Sequence, residues 1–309
     1  MRHVLITGGG GFLGRKLAHA LNDRPDVEKL TLFDQAPIND APLKANVIVG
    51  DLAAPGMVER IATADVDAVV HLAAVVSSGA EADFDLGMQV NLDGLRALLE
   101  RLRSLGTVPK VVFPSSVAAF GATPPVVRDD TPTWPQSSYG TQKAIGELLV
   151  NDMSRKGFID GRTMRLPTVV IRPGKPNKAA SSFASGILRE PLNGEKTVCP
   201  VRRDLPLWIA SPRAVTASLI HALEVPAEEW APWRTISLTG LTVTVDEMVK
   251  ALDRAGGDVS LIEWTRDPAI EAIVETWPAR FAPDRAEEMG FPRDQGIDEI
   301  IQAYKEDDL

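Results

Sequence analysis

One helix-compatible stretch, SSYGTQKAIGEL at 137–148, carries a phenol and an ammonium group four residues apart, Tyr139 and Lys143. An i, i+4 spacing puts the two on one helical face. The pairing is chemically useful. A phenol titrates near pH 10 and is a poor base at neutrality, whereas a neighbouring ammonium favours the phenolate and lowers that pKa toward the working range. Just upstream, KVVFPSS (110–116) ends in two hydroxyls. Strand alternation points Ser115 and Ser116 opposite ways, so one of them can hold a substrate oxygen. On an isolated helix the same pair would be a surface aromatic and a solvated lysine. Its weight depends on what the first fifty residues build beside it.

MRHVLITGGGGFLGRKLAHAL reads as a buried strand (Val4 to Thr7), a glycine-rich turn, and an amphipathic helix from about Phe12. Gly8, Gly11 and Gly14 fit a G-x-x-G-x-x-G spacing, which suits a tight turn, a close approach to a pyrophosphate and close helix–strand packing. The helix start at Phe12 and Leu13 offers free N–H groups and a partial positive charge to phosphates. The next strand, LTLFD, ends in Asp34, where an acidic side chain accepts hydrogen bonds from the adenosine ribose of NAD. A carboxylate there repels a 2′-phosphate, and no arginine follows in DQAPIND. NAD is expected over NADP.

The pattern then repeats. NVIVGD (46–51), DAVVHLAA (67–74) and KVVFPSS read as third, fourth and fifth strands, with a long helical stretch through MQVNLDGLRALLERLRSL between the last two. Continuous apolar strands alternating with helices predict an α/β fold, a Rossmann-type doubly wound parallel sheet. Cofactors in such sheets lie beyond the carboxyl ends of the strands, where Asp51, Leu52, Ala73, Ala74 and Ser116 fall. Residues 1–172 are expected to form the NAD-binding domain and 173–309 mainly a smaller substrate-binding lobe, with elements free to exchange between them. In that lobe SPRAVTASLIHALEV and TVDEMVKALDRAG read as helices, the second capped by Thr244 or Asp246. WRTISLTG reads as a short strand, and WPARFAPDRAEEMGFP as a lid or packing segment.

Composition narrows the class. The net charge of −9 argues against a nucleic-acid or anionic-membrane binder. The single cysteine, Cys199, cannot form an internal disulfide, and four scattered histidines give no metal-ligand spacing. No metal is expected, and the cytoplasm is the expected location.

TGGGGFLG, Asp34, GDL at 50–52, HLAA at 71–74, MQVNLDG, FPSSVAAFG, YGTQK and IRPG occur in order. Together they resemble the extended short-chain dehydrogenase/reductase family, the NAD-dependent epimerase/dehydratase group, over residues 1–225 and more loosely beyond. The resemblance implies Tyr139 as acid/base, Lys143 as its partner and a ligand of the nicotinamide ribose, and Ser116 as the hydroxyl that holds the substrate oxygen. It carries Asp51, Leu52, Ala73, Ala74, Asn91 and Pro167 over to the cofactor site, with Asn91 supporting the active-site end of the sheet through backbone contacts. It also implies a homodimer through a four-helix bundle of the Tyr139 helix and the helix after the fourth strand. Ala144, Leu148 and Leu149, and the leucines of LRALLERLRSL, offer the second apolar stripes such a bundle needs.

Departures from the family pattern bear on the reaction. Sugar dehydratases carry an acidic pair where Val117 and Ala118 stand. Nucleotide-sugar epimerases carry Tyr-Gly and an asparagine where this chain has Phe120-Gly121 and Thr168. The following loop, IRPGKPNKAASSF, concentrates Arg172, Lys175 and Lys178, with Asn177, Ser181 and Ser182 as neutral donors, and suits a small anion. This stretch looks like the D-erythronate dehydrogenase subgroup, which implies oxidation of the C2 hydroxyl of a small sugar acid, with Thr168, Lys175 and Asn177 on the substrate. Arg203 matches an arginine that meets the ligand diphosphate in relatives; here it meets the carboxylate or pairs with Asp204. The alternatives are a nucleotide-sugar epimerase, with no net NADH, and a non-catalytic NAD-binding regulator, against which the Tyr–Lys pair counts.

Overall fold

The computed structural model describes residues 1–121, 123–175 and 179–309. Seven strands make one sheet: β1 (His3–Thr7), β2 (Lys29–Asp34), β3 (Ala45–Val49), β4 (Ala68–His71), β5 (Lys110–Ser116), β6 (Asp160–Leu166) and β7 (Thr235–Ser237). Their order is β7-β6-β5-β4-β1-β2-β3, and every neighbouring pair is parallel. The order reverses between β1 and β4, which opens a crevice at the carboxyl ends of those strands.

Both faces of the sheet are covered, as the unbroken apolar strands require. Along β1, Val4 and Ile6 enter one core with Leu17 and Leu21 of α1 (Phe12–Asn22), while Leu5 enters the other. That second core takes Leu95, Leu98, Leu99 and Leu102 of α2 (Gly94–Leu105) against Val69, Val111 and Phe113. All four leucines are fully buried, each contributing about 1.5–3 kcal/mol. The second apolar stripe expected on α2 is therefore absent, because the protomer's own sheet uses those side chains. One turn before α2, Met88–Asp93 is a π-helix where a continuous α-helix was expected, and Asn91 lies within it.

The chain crosses between its halves. The helix α5 (Pro212–Glu224) packs in the first core through Val215 and Leu219, beside Trp230 and Ile236. A third core gathers α4 (Ser182–Leu192), the Val245–Arg254 helix and the Ile297–Asp307 helix around Ile187, Met248 and Ile300. Thr244 caps the Val245–Arg254 helix in a reciprocal box with Glu247, which settles the choice against Asp246. The proline-rich segment beyond residue 277 is tied down rather than loose. Phe281–Ala282 pairs with Val127–Arg128, and Phe281 packs edge-on to Phe120 at 5.8 Å between ring centroids.

At the crevice, Thr7 and His71 are register partners on β1 and β4, joined by a 2.8 Å bond between Oγ1 and Nδ1. Burial pulls the His71 imidazole down to about 3. Below its unfolded value near 6.5 the unfolded chain binds a proton that the native one refuses, so stability is lost as pH falls. His71→Asn should flatten the fall in urea-unfolding free energy between pH 6.5 and 5 by up to about 1.4 kcal/mol per pH unit. Equal slopes for the two proteins would show that His71 is not the group being titrated.

Candidate active site

β5 delivers Ser116 to the edge of the crevice, where its Oγ accepts a hydrogen bond from the Ala118 N–H at 3.1 Å and starts the short turn Val117–Ala119. α3 (Ser138–Arg155) begins immediately beside that turn, capped by Ser137, whose Oγ accepts from the Gly140 N–H at 3.1 Å. The approach is so close that any Cβ at residue 140 would overlap the Ala118 carbonyl oxygen. As a result Tyr139 and Ser116 line the same cavity, close enough for the serine hydroxyl to act on the phenol. Lys143 follows on the same face, buried, its Nζ donating to the Pro114 carbonyl at 2.8 Å and lying 5.7 Å from the Tyr139 ring centroid.

Burial pushes the Tyr139 phenol up to about 12, and the Ser116 hydroxyl and the charge of Arg172 only partly oppose it. Burial pulls the Lys143 ammonium down to about 8, opposed by Glu147. The Lys143 ammonium is held by the Pro114 carbonyl, and the charge of Arg172 also reaches Tyr139. Ser115 points away from Ser116, as alternation requires. Its hydroxyl donates to Glu147 Oε1 at 2.5 Å, and Glu147 in turn receives Arg165 Nη2 at 2.7 Å, all three side chains being buried. This network anchors α3 to β5 and β6 beneath the Tyr–Lys face.

Two cavities share Gly8, Gly11, Leu72 and Ala74, and so form one cleft across the ends of β1 and β4. The smaller part, about 250 Å³, is lined by Asp34, Leu52 and Ala73 among others. The larger, about 380 Å³, runs from Phe12, Leu13 and Gly14 to Ser116, Tyr139, Lys143, Pro167 and Thr168. A side chain at residue 14 would overlap the Gly8 carbonyl oxygen, so α1 starts flush against the strand end. Asp34 stands at the far end, accepting from the N–H groups of Gly10 at 2.9 Å and Ala36 at 3.1 Å. These residues fit an extended dinucleotide, with an acid at the ribose end, bare backbone at its middle and the Tyr–Lys pair at the reactive end.

Other expected residues lie elsewhere. Asp51 is exposed, accepts from the Ala53 N–H at 3.0 Å, and lines neither cavity. Asn91 also lines neither. It accepts from the Val75 N–H at 2.7 Å and donates to the Val75 carbonyl at 3.0 Å and to Gln142, fixing the loop after β4 from behind. Lys175 is exposed and off the cleft, and Asn177 lies outside the described residues. Arg203 stacks on Trp264, 3.9 Å from the ring centroid, and pairs with Asp246 at 3.6 Å; Asp204 is held by Arg202 instead.

Among the residues that line the larger cavity without having been placed there by the sequence are Ser77, Arg172 and Trp277. Arg172 was visible as one member of a basic loop. Choosing it over Lys175 needed burial, which only the fold supplies. Burial and the neighbouring Arg189 hold its guanidinium down at about 10. Trp277 comes from more than a hundred residues downstream and carried no linear signal. Among the described residues no cluster of His, Cys, Asp or Glu suits a metal ion, and no helix is long and apolar enough to cross a membrane.

The model of the NAD dependent epimerase/dehydratase family matches residues 4–208. The chain is 51% identical to the D-erythronate dehydrogenase of Cupriavidus necator over 99% of this chain and 98% of the relative. It is 45% identical to the D-erythronate dehydrogenase of Haemophilus influenzae over 99% of each. A solved structure described as the nucleoside-diphosphate-sugar epimerase from Agrobacterium tumefaciens superposes with a TM-score of 0.92 at 44% identity, covering 99% of this chain and 94% of that one. With its glycine loop, parallel sheet and Tyr–Lys pair in one cleft, the chain belongs to the NAD-dependent epimerase/dehydratase family.

Proposed function

We propose that this protein oxidises the C2 hydroxyl of D-erythronate to 2-oxo-erythronate with NAD. The observation that carries the reading is that Ser116, Tyr139 and Lys143 line one cavity with the glycine loop, at the end of a cleft shaped for a dinucleotide. Relatives that share about half of the sequence over nearly the whole length carry that activity in their names. Gly8, Gly11 and the start of α1 hold the pyrophosphate, Asp34 the adenosine ribose, and Lys143 and Pro167 border the nicotinamide end. When bound, NAD supplies the hydride acceptor and a cationic ring that favours the phenolate. Ser116 holds the substrate oxygen and Tyr139, as phenolate, takes its proton while C2 becomes a carbonyl carbon. Lys143, anchored to the Pro114 carbonyl, orients the cofactor ribose and adds positive charge behind the phenol.

The epimerase name of the Agrobacterium structure keeps one alternative in view. Against it, Arg203, which answers to a diphosphate-binding arginine in such relatives, is stacked on Trp264 away from the cleft. We further propose a cytoplasmic homodimer centred on α3, with α2 alongside contributing no apolar stripe of its own. The support is Leu148, 58% exposed on the outer flank of α3; Ala144 and Leu149 are largely covered within the protomer.

Absorbance of NADH should rise when the protein meets NAD and D-erythronate, and stay flat with UDP-sugars; no net NADH from any sugar acid would leave the epimerase reading in its place. Tyr139→Phe keeps the ring and removes the ionisable oxygen, so NAD binding should persist while turnover falls at least about a hundredfold. Retained turnover would remove Tyr139 from the role of base. NAD should bind far better than NADP, and Asp34→Ala should narrow that gap; indifference of the unmodified protein would count against Asp34 as the ribose ligand. Light scattering should give a dimer mass for the wild type and a monomer mass for Leu148→Glu, whereas a monomeric, fully active wild type would rule the bundle out.

A further inference from the structure

The larger cavity has a wall opposite Ser116 and Tyr139 that the oxidation chemistry leaves unexplained. Arg172 projects there from the loop after the Thr168–Val169 strand. Its backbone is fixed at both ends: the N–H donates to Ser185 Oγ at 3.0 Å and the carbonyl accepts from Arg189 Nη1 at 2.6 Å. Its guanidinium donates from Nη2 to Ser181 Oγ at 3.0 Å, which sets its orientation and leaves other N–H groups unassigned. No carboxylate pairs with it among the described residues. The nearest candidate on α4, Glu190, is taken by Arg189 at 2.6 Å. The undescribed residues 122 and 176–178 are Ala, Pro, Asn and Lys, so they contain no acid either.

A mostly buried guanidinium without a counter-charge is costly, and the protein supplies none. No aspartate or glutamate lines this cavity, although the chain carries a net charge of −9. A second, independent donor belongs to a residue of the same cavity wall. Trp277 lines the cavity, and its Nε1–H is buried without a hydrogen-bond partner among the described residues. Buried indole N–H groups almost always find an acceptor, so an orphan one beside an unpaired cation marks where an anionic acceptor is missing.

We propose that Arg172 and the indole N–H of Trp277 form the carboxylate subsite of this cleft, holding the acid group of a short 2-hydroxy carboxylate while Ser116 and Tyr139 hold its hydroxyl. The proposal rests on the oxidation described above and deepens it. A planar guanidinium matches a carboxylate with paired donors, and Ser181 holds it ready in that pose. Placing the negative charge here, across the cavity from the phenol, also fixes which carbon presents its hydroxyl to Tyr139. The neutral sugar alcohol of the same length lacks the group that sets this register.

Arg172→Gln, Arg172→Lys and Trp277→Phe would be compared with the wild type in the full chain, after thermal melting and NADH titration confirm folding and cofactor binding. With D-erythronate, Arg172→Gln should lower kcat/KM at least about a hundredfold, mainly through KM. With erythritol, the neutral analogue, its kcat/KM should change less than about threefold, because no charge is left unpaired there. Arg172→Lys should recover at least about tenfold of the loss, since it keeps the charge, and Trp277→Phe should cost about fivefold or more. An Arg172→Gln protein that binds NADH normally and keeps its KM for D-erythronate would overturn the proposal, as would equal losses on the acid and the alcohol. The two readings fail separately. If wild-type protein made no NADH from D-erythronate, the oxidation would fall. Glycolate, the smallest 2-hydroxy carboxylate, titrated by tryptophan fluorescence into the NADH-loaded protein, would still test the subsite. Saturable quenching lost in Arg172→Gln supports it, and quenching absent from the wild type or retained in the variant overturns it.

Discussion

The start of α3 lies against the carbonyl of Ala118, and only a residue without a side chain at position 140 permits that approach. From this one contact follow the placing of Tyr139 beside Ser116 in one cavity, the position of Lys143 one turn later, and the alignment of both with the carboxyl ends of β1 and β4. The contact is braced from below. Ser115, Glu147 and Arg165 tie β5, α3 and β6 together with buried, charge-assisted hydrogen bonds. Removing one partner from such a network leaves an uncompensated buried charge and costs about 3–5 kcal/mol. The adjacent serines thus divide their work, Ser115 facing the scaffold and Ser116 the chemistry.

The electrostatics of the cleft are those of a site that completes itself on binding. Burial drives the phenol up and both nearby cations down, with Arg189 adding to the shift of Arg172 and Glu147 opposing that of Lys143. Each of these shifts disfavours the charged form, because the protein withdraws water and its own charges do not make up the loss. A cationic cofactor ring and an anionic substrate reverse that balance. The phenolate becomes accessible and the guanidinium acquires a partner. Proton transfer is thereby coupled to occupancy, and the base is kept protonated while the site stands without ligands.

The division into two halves is functional more than spatial. α5 and β7 return from the C-terminal half to complete the layers of the large sheet, while the remaining elements build a separate core around Ile187 and Met248. Trp277 reaches the cleft from this second body, and the paired strands Val127–Arg128 and Phe281–Ala282 hold the segment beyond it. One wall of the cavity is therefore the sheet with its dinucleotide chemistry. Other parts of the wall, Arg172 and Trp277 among them, come from segments outside the sheet.

What the sequence by itself determined is whatever depends on local periodicity and short spacing. The strands appear as unbroken apolar runs, the turn at the head of the cleft as glycines three residues apart, and the shared face of Tyr139 and Lys143 as residues one helical turn apart. Asp34 at a strand end and the opposed directions of Ser115 and Ser116 belong to the same class, because alternation and helical pitch are properties of neighbouring residues. Burial and long-range approach are not. Lys175 and Arg172 look equivalent in a basic loop, yet one lies in water and the other lines the cavity of the phenol. Arg203 has a clear match in sequence but finds Trp264 and Asp246 instead. The leucines of α2 suggest a spare apolar face until the sheet is seen to bury Leu95, Leu98, Leu99 and Leu102. Asn91 lies behind the cleft wall, and Trp277 joins it from a distant segment. These were decided only by the tertiary structure, because which charge loses its water, and which aromatic fills a gap, depends on segments that meet only when the chain is folded.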